Sequence, residues 1–176
     1  MRGLPLPFLC AILLLIGGYL VPPALSTPPT SPKASVDLFV ATDCPIANAC
    51  APEIERLYQA YKTKGVDFRL VFPDRDLDEG EVRQHLADFG LNVPFVIDRD
   101  HAFVKRGGAT VTPEAVVYNH LGAIVYRGKL DNRYTDFGDR RITVSEFYLR
   151  DALDAVLSGK TPAIERTAAI GCLIEQ

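Results

Sequence analysis

The chain has 176 residues, 48% of them hydrophobic, which suits one globular domain of about 140 residues plus accessory segments. A net charge of −3 and the lack of any long charge block exclude the basic footprint of a nucleic-acid binder.

Residues 1–26 read as an export signal. Arg2 gives the positive start, residues 9–16 the apolar run, and Ala24-Leu25-Ser26 a small-residue cleavage box. Pro5, Pro7, Pro22 and Pro23 argue against a regular membrane-spanning helix, and an uncleaved N-terminal anchor is the alternative. Only in that case would the protein touch a membrane. Cys10 would leave with the signal. Residues 27–34 form a proline-rich linker, 35–159 the folded domain, and 160–176 a C-terminal tail. Export to the periplasm or another extracytoplasmic space would put Cys44, Cys50 and Cys172 where disulfides persist. Three thiols leave at least one unpaired, or paired only transiently or between molecules.

The apolar run 36–41 ends in Thr42-Asp43-Cys44-Pro45 and passes directly into a helical pattern. Proline disfavours helical geometry in the residue before it and suits the first helical position. Cys44 is therefore expected at the N-cap, its sulfur facing the free N–H groups of Ile46 and Ala47. Such donors and the helix dipole favour a thiolate. Cys50, Ile54, Leu57 and Tyr61 then mark one buried helix face.

The spacing predicts a strand over 66–72, a helix over 81–89 ended by Gly90, and short segments at 93–97 and 101–106. Residues 114–119 and 123–127 read as a hairpin, and 131–141 as a polar loop. Thr143 with Glu146 reads as a capping box opening a last helix, with Leu149, Leu153 and Val156 on its apolar face. This element order implies an α/β fold, a mixed sheet with helices on both faces.

FVATDCPIANAC, ATVTPEAVVY and the closing helix together resemble the thioredoxin superfamily. DCPIANACAPEI, GATVTPEAVVY, VYRGKLDNRY and AIGC are similar to its redoxin branch, related to alkyl hydroperoxide reductase and thiol-specific antioxidant proteins. The resemblance implies a thioredoxin-like three-layer α/β/α sandwich with a central mixed sheet. It also implies a cis Thr112–Pro113 bond beside Cys44 and thiol chemistry without a bound organic cofactor. Thr112, Pro113 and Arg127 would position the substrate, with Arg133 a further guanidinium near the thiolate. The chain departs from two family patterns: Ala47 replaces the second cysteine of Cys-x-x-Cys. Ala41 stands where peroxiredoxins carry threonine.

From N-cap to the sixth helical residue the rise is about 9 Å. A disulfide wants Cα atoms within about 7 Å, so a Cys44–Cys50 bond would unwind the helix start. Cys172, in the tail, is the preferred resolving partner, with Cys50 the alternative. Expected substrates are a disulfide or peroxide, with electrons from a separate thiol reductant. A second reading is a copper chaperone resembling the Sco family, using Cys44 with Cys50 or Cys172 and His101. His101 otherwise caps or decorates a short surface helix, and His85 and His120 read as surface residues. A third reading is a non-catalytic binding module.

Overall fold

The computed structural model describes residues 32–175, so the export-signal segment and the start of the linker lie outside the described residues. β1 (Ala34–Phe39) leads through residues 40–44 into α1 (Pro45–Tyr61). There follow β2 (Val66–Phe72), α2 (Glu79–Asp88), β3 (Phe95–Ile97) and α3 (Ala102–Gly107). The second half holds β4 (Val111–Thr112), β5 (Glu114–Asn119), β6 (Ile124–Gly128), β7 (Tyr134–Asp136), β8 (Asp139–Arg140), α4 (Tyr148–Leu157) and β9 (Cys172–Leu173).

The main sheet runs β3-β2-β1-β5-β6. β1, β2 and β3 are parallel, while β5 is antiparallel to both β1 and β6. Strand side chains alternate between faces, and β1 does so with consequence. Val36 and Leu38 join Ile54 of α1, Val82 of α2 and Leu153 of α4 in one cluster. Phe39 joins Val71, Val116, Val104 of α3 and Ile174 in the other. Helices thus cover both faces of a mixed sheet. Buried Asp37, on the Phe39 side, is neutralised by ion pairs with Arg69 and Arg106.

This sheet sets the site. Phe39 pairs with Glu114 across β1 and β5, so the end of β1 lies beside the turn at Thr112-Pro113. Leu38, Phe39 and Val40 are at most 2% exposed, which anchors the loop that carries Cys44. Burying each such side chain contributes about 1.5–3 kcal/mol.

Two expectations need correction. The Thr143–Glu146 capping box does not form. The Ser145 and Glu146 N–H groups donate instead to Asn132 Oδ1 at 3.0 and 3.3 Å, and α4 starts only after Phe147. A capping box does open α2, where Asp78 and Glu81 exchange side-chain and backbone bonds. His85 is not a surface residue but 9% exposed, packed edge-on to Phe72.

The tail lies against the domain. Arg127 N–H donates to Glu165 O at 2.9 Å, and Thr167 N–H donates to Arg127 O at 3.0 Å. Beyond that anchor the chain crosses to β4 as β9. Among the described residues no helix is long and apolar enough to cross a membrane.

Candidate active site

Cys44 occupies the N-cap of α1 with extended backbone (φ −81°, ψ 110°), and Pro45 follows at the first helical position. Its carbonyl accepts the first helical bond from Asn48 N–H at 2.9 Å. Asn48 braces the loop from the side. Its Nδ2 donates to Thr42 O at 2.9 Å, and its Oδ1 lies 2.8 Å from His85 Nε2. An amide oxygen cannot donate, so the proton of that bond sits on His85 Nε2.

The Cys44 thiol is 0% exposed and donates to Thr112 O at 3.0 Å. The Thr112–Pro113 peptide is cis. Thr112 is 2% exposed, and its hydroxyl has no oxygen or nitrogen partner; it faces the Cys44 sulfur. Thr112 also pairs with Cys172, and Val111 with Leu173, in the antiparallel β4–β9 ladder. Ile174 N–H extends the ladder to Thr110 O at 3.0 Å.

Gly171 permits this approach. A Cβ there would lie 1.9 Å from Thr112 O and 2.6 Å from its carbonyl carbon, so no other residue fits without moving the strand. The ladder sets Cys172 opposite Thr112, whose carbonyl accepts the Cys44 thiol, so the two cysteines are neighbours.

The two thiols are pushed in opposite directions. Burial raises the Cys44 pKa, but donation from the Cys172 thiol, the Ala47 N–H, the Thr112 hydroxyl and the Cys172 N–H outweighs it and lowers the pKa below 9.0. The Thr112 carbonyl works the other way, because it accepts only from the protonated sulfur. Cys172 is pushed up to about 12 by burial, by its bond to Cys44 and by the charges of Cys44 and Asp43. Of the two thiols, Cys44 is therefore the one that deprotonates more readily.

The Redoxin family profile matches residues 26–143, well over half of the chain. The chain belongs to the Redoxin family.

This redoxin is 30% identical over 87 residues to the thiol-disulfide oxidoreductase ResA of Halalkalibacterium halodurans, 49% of this chain and 48% of that protein. The chain therefore spans about half the length of that curated relative. Among solved structures it is similar to an uncharacterized conserved protein of Geobacillus kaustophilus. That match has TM-score 0.73 and 26% identity, over 82% of this chain and 77% of the other. A thioredoxin-like protein in its oxidized form matches with TM-score 0.56 and 18% identity, over 73% of this chain and 80% of that one. The fold is thioredoxin-like.

The other residues singled out in the sequence lie elsewhere. Cys50 is 4% exposed among the apolar stripe of α1, and burial, with the Asp131 charge, pushes its thiol to about 12. Arg127 does not reach toward the thiols. Its guanidinium donates to Gly107 O and Gly108 O at 3.2 and 2.6 Å and lies 3.7 Å from Glu114, tying the end of α3 to β6. Arg133 bonds Ala49 O at 3.2 Å and Asp131.

His101 is the N-cap residue of α3 with left-handed backbone, yet 4% exposed, and its Nε2 lies 2.8 Å from Pro73 O. Among the described residues no three His, Cys, Asp or Glu side chains converge as a metal cluster would, so the set Cys44, Cys50 and His101 is not assembled. A cleft of about 540 Å³ borders the site and is lined by Asp43, Asp74, His101, Thr112 and Cys172 among others; Cys44 is not in its wall.

Sequence reasoning missed Asn48, Thr167 and Gly171. The one available signal was Gly-Cys at 171–172, whose glycine admits a close backbone approach.

Proposed function

We propose that this redoxin is a thiol–disulfide oxidoreductase with Cys44 as nucleophile and Cys172 as resolving thiol. The observation that supports it is the Thr112–Cys172 pairing, which sets Cys172 beside the residue whose carbonyl holds the Cys44 thiol. The likeness to ResA supports redox chemistry of the same general kind.

In the forward step the Cys44 thiolate attacks one sulfur of a substrate disulfide. The substrate S–S bond breaks, one substrate thiolate leaves, and a mixed disulfide forms on Cys44. Cys172, deprotonated as it attacks Cys44 Sγ, expels the second substrate thiolate and closes a Cys44–Cys172 disulfide. The substrate gains two electrons and the protein loses two. A separate thiol reductant restores the protein, with no bound organic cofactor in the cycle.

Access to Cys44 in the reduced protein requires β9 to lift, which breaks a ladder of two residue pairs and draws Ile174 from its packing. Thr112 lines the reacting sulfur, and Pro113 follows it across the cis bond. The signal-like residues 1–26 support export.

The test is turnover of a small disulfide with dithiothreitol as electron source. Cys44→Ser should abolish it, Cys172→Ser should accumulate mixed disulfide on Cys44, and Cys50→Ser should turn over normally. Undiminished turnover by Cys44→Ser would sink the proposal. Repeating the series with hydrogen peroxide as oxidant shows whether a sulfenic acid on Cys44 serves the same cycle.

A further inference from the structure

The surroundings of Cys44 and Cys172 differ. Cys44 is 0% exposed beneath the chain segment that carries Cys172. Cys172 is half-buried and forms part of the wall of the 540 Å³ cleft. In the reduced protein β9 is held over Cys44 by non-covalent contacts, the ladder hydrogen bonds and the packing of Ile174. In the oxidised protein a Cys44–Cys172 bond would staple the covering strand to the sulfur it covers. The motion that exposes Cys44 is then forbidden.

We propose that the two half-reactions use different sulfurs: substrate disulfides are attacked by Cys44, whereas the reductant attacks Cys172 from the cleft. This rests on the cycle proposed above. A thiolate of the reductant attacks Cys172 Sγ and forms a bond to it. The Cys44–Cys172 bond breaks, and its electron pair leaves on Cys44 Sγ as thiolate. A second reductant thiolate then attacks the sulfur of the first, forming the reductant disulfide and releasing Cys172, which takes a proton from solvent. Two reductant thiols lose two electrons and the protein disulfide gains them.

The surroundings favour this direction at each point. The departing Cys44 thiolate meets the Ala47 N–H and the Thr112 hydroxyl, so the bond breaks toward the better leaving group. The Thr112 edge that an extended peptide would pair with is already filled by β9, which leaves the cleft as the approach. Asp43, Asp74, Asp76 and Glu175 stand in the cleft wall with Arg75, so a cationic thiol is the suitable probe.

The experiment uses the full-length protein, oxidised with diamide and peptide-mapped to establish the Cys44–Cys172 link. Excess cysteamine is added for short times and the mixture is quenched with acid, which stops exchange by protonating thiolates. The unfolded, alkylated protein is then mapped by mass spectrometry. Cysteamine should be found on Cys172, with Cys44 alkylated, about tenfold or more over the reverse. Cysteamine mainly on Cys44 would overturn the assignment while leaving the cycle intact. Absence of any Cys44–Cys172 link after oxidation would overturn both, so the two failures are told apart in one experiment.

Discussion

Cys172 pairs with Thr112 across the β4–β9 ladder, and the Thr112 carbonyl accepts the Cys44 thiol at 3.0 Å. One residue therefore holds both sulfurs, one by backbone register and the other by a side-chain hydrogen bond. The consequence is a pair of cysteines 128 positions apart in sequence that become neighbours without a Cys-x-x-Cys motif.

Gly171 is the residue on which this meeting depends. Gly171→Ala puts a methyl group into the Thr112 carbonyl and must push β9 outward. A displacement of about 1 Å at reacting atoms costs about 100-fold in rate. Cys44–Cys172 disulfide formation, followed by quenched-flow alkylation, should slow by about that factor. The cooperative melt should fall only modestly, because the displaced segment contributes Ile174 to the core clusters, with Ile170 and Cys172 packed at the edge. A variant that closes the disulfide at the normal rate would refute the role given to this glycine.

Cys50 should behave as core. Cys50→Ala removes a buried sulfur and should cost about 1 kcal/mol by chemical denaturation, leaving disulfide formation untouched. It should also change the pH dependence. The folded-state thiol, raised to about 12, keeps its proton while the unfolded one releases it from 9.0 upward. Stability contributed in this way is complete below pH 9.0 and lost as pH rises toward 12. The variant should therefore lose less stability than the parent between pH 9 and 11, measured by urea midpoints.

Why was Cys50 legible when Cys172 was not placed? Cys50 belongs to a stripe at steps of four, three and four residues, and a helical period declares itself within the segment. Strand, Cys44, Pro45 and helix are likewise contiguous, so local backbone preferences determine the N-cap. Thr112-Pro113 was readable only through family resemblance. The β4–β9 pairing joins two strands of two residues each, too short to show any period, and its register depends on the Gly171 contact. His85 misled because one apolar neighbour says little about a polar residue whose partner, Asn48, comes from another helix. The engagement of Arg127 by two carbonyls at the end of α3 has no local signature either.

Thr167 should prove to be the anchor of the tail. Its hydroxyl accepts from Lys129 N–H at 2.8 Å and lies 2.8 Å from the Tyr126 hydroxyl. Thr167→Val keeps the shape but leaves the Lys129 N–H without an acceptor, at about 1–3 kcal/mol. The loss should be local: amide exchange at Thr167 and Ile174 should accelerate, while α1 and the central strands stay protected. Uniform acceleration throughout the domain would contradict the local reading.

Thr112→Val separates chemistry from stability. The hydroxyl is buried with no oxygen or nitrogen partner, so removing it should change folding free energy by less than about 1 kcal/mol at neutral pH. Its effect on Cys44 should be plain. Burial raises that pKa, and the Thr112 hydroxyl is one of the donors that together bring it below 9.0. Without it the pKa rises, and alkylation of Cys44 in the Cys172→Ala background should shift to higher pH. The linkage has a definite sign. With a depressed folded-state pKa, the stability from the thiolate is present above 9.0 and lost as pH falls through the folded value. Thr112→Val narrows that window from below, so its stability deficit should be larger at pH 9 than at pH 6. Equal deficits at both pH values, with an unshifted alkylation curve, would mean that the hydroxyl does not serve the thiolate.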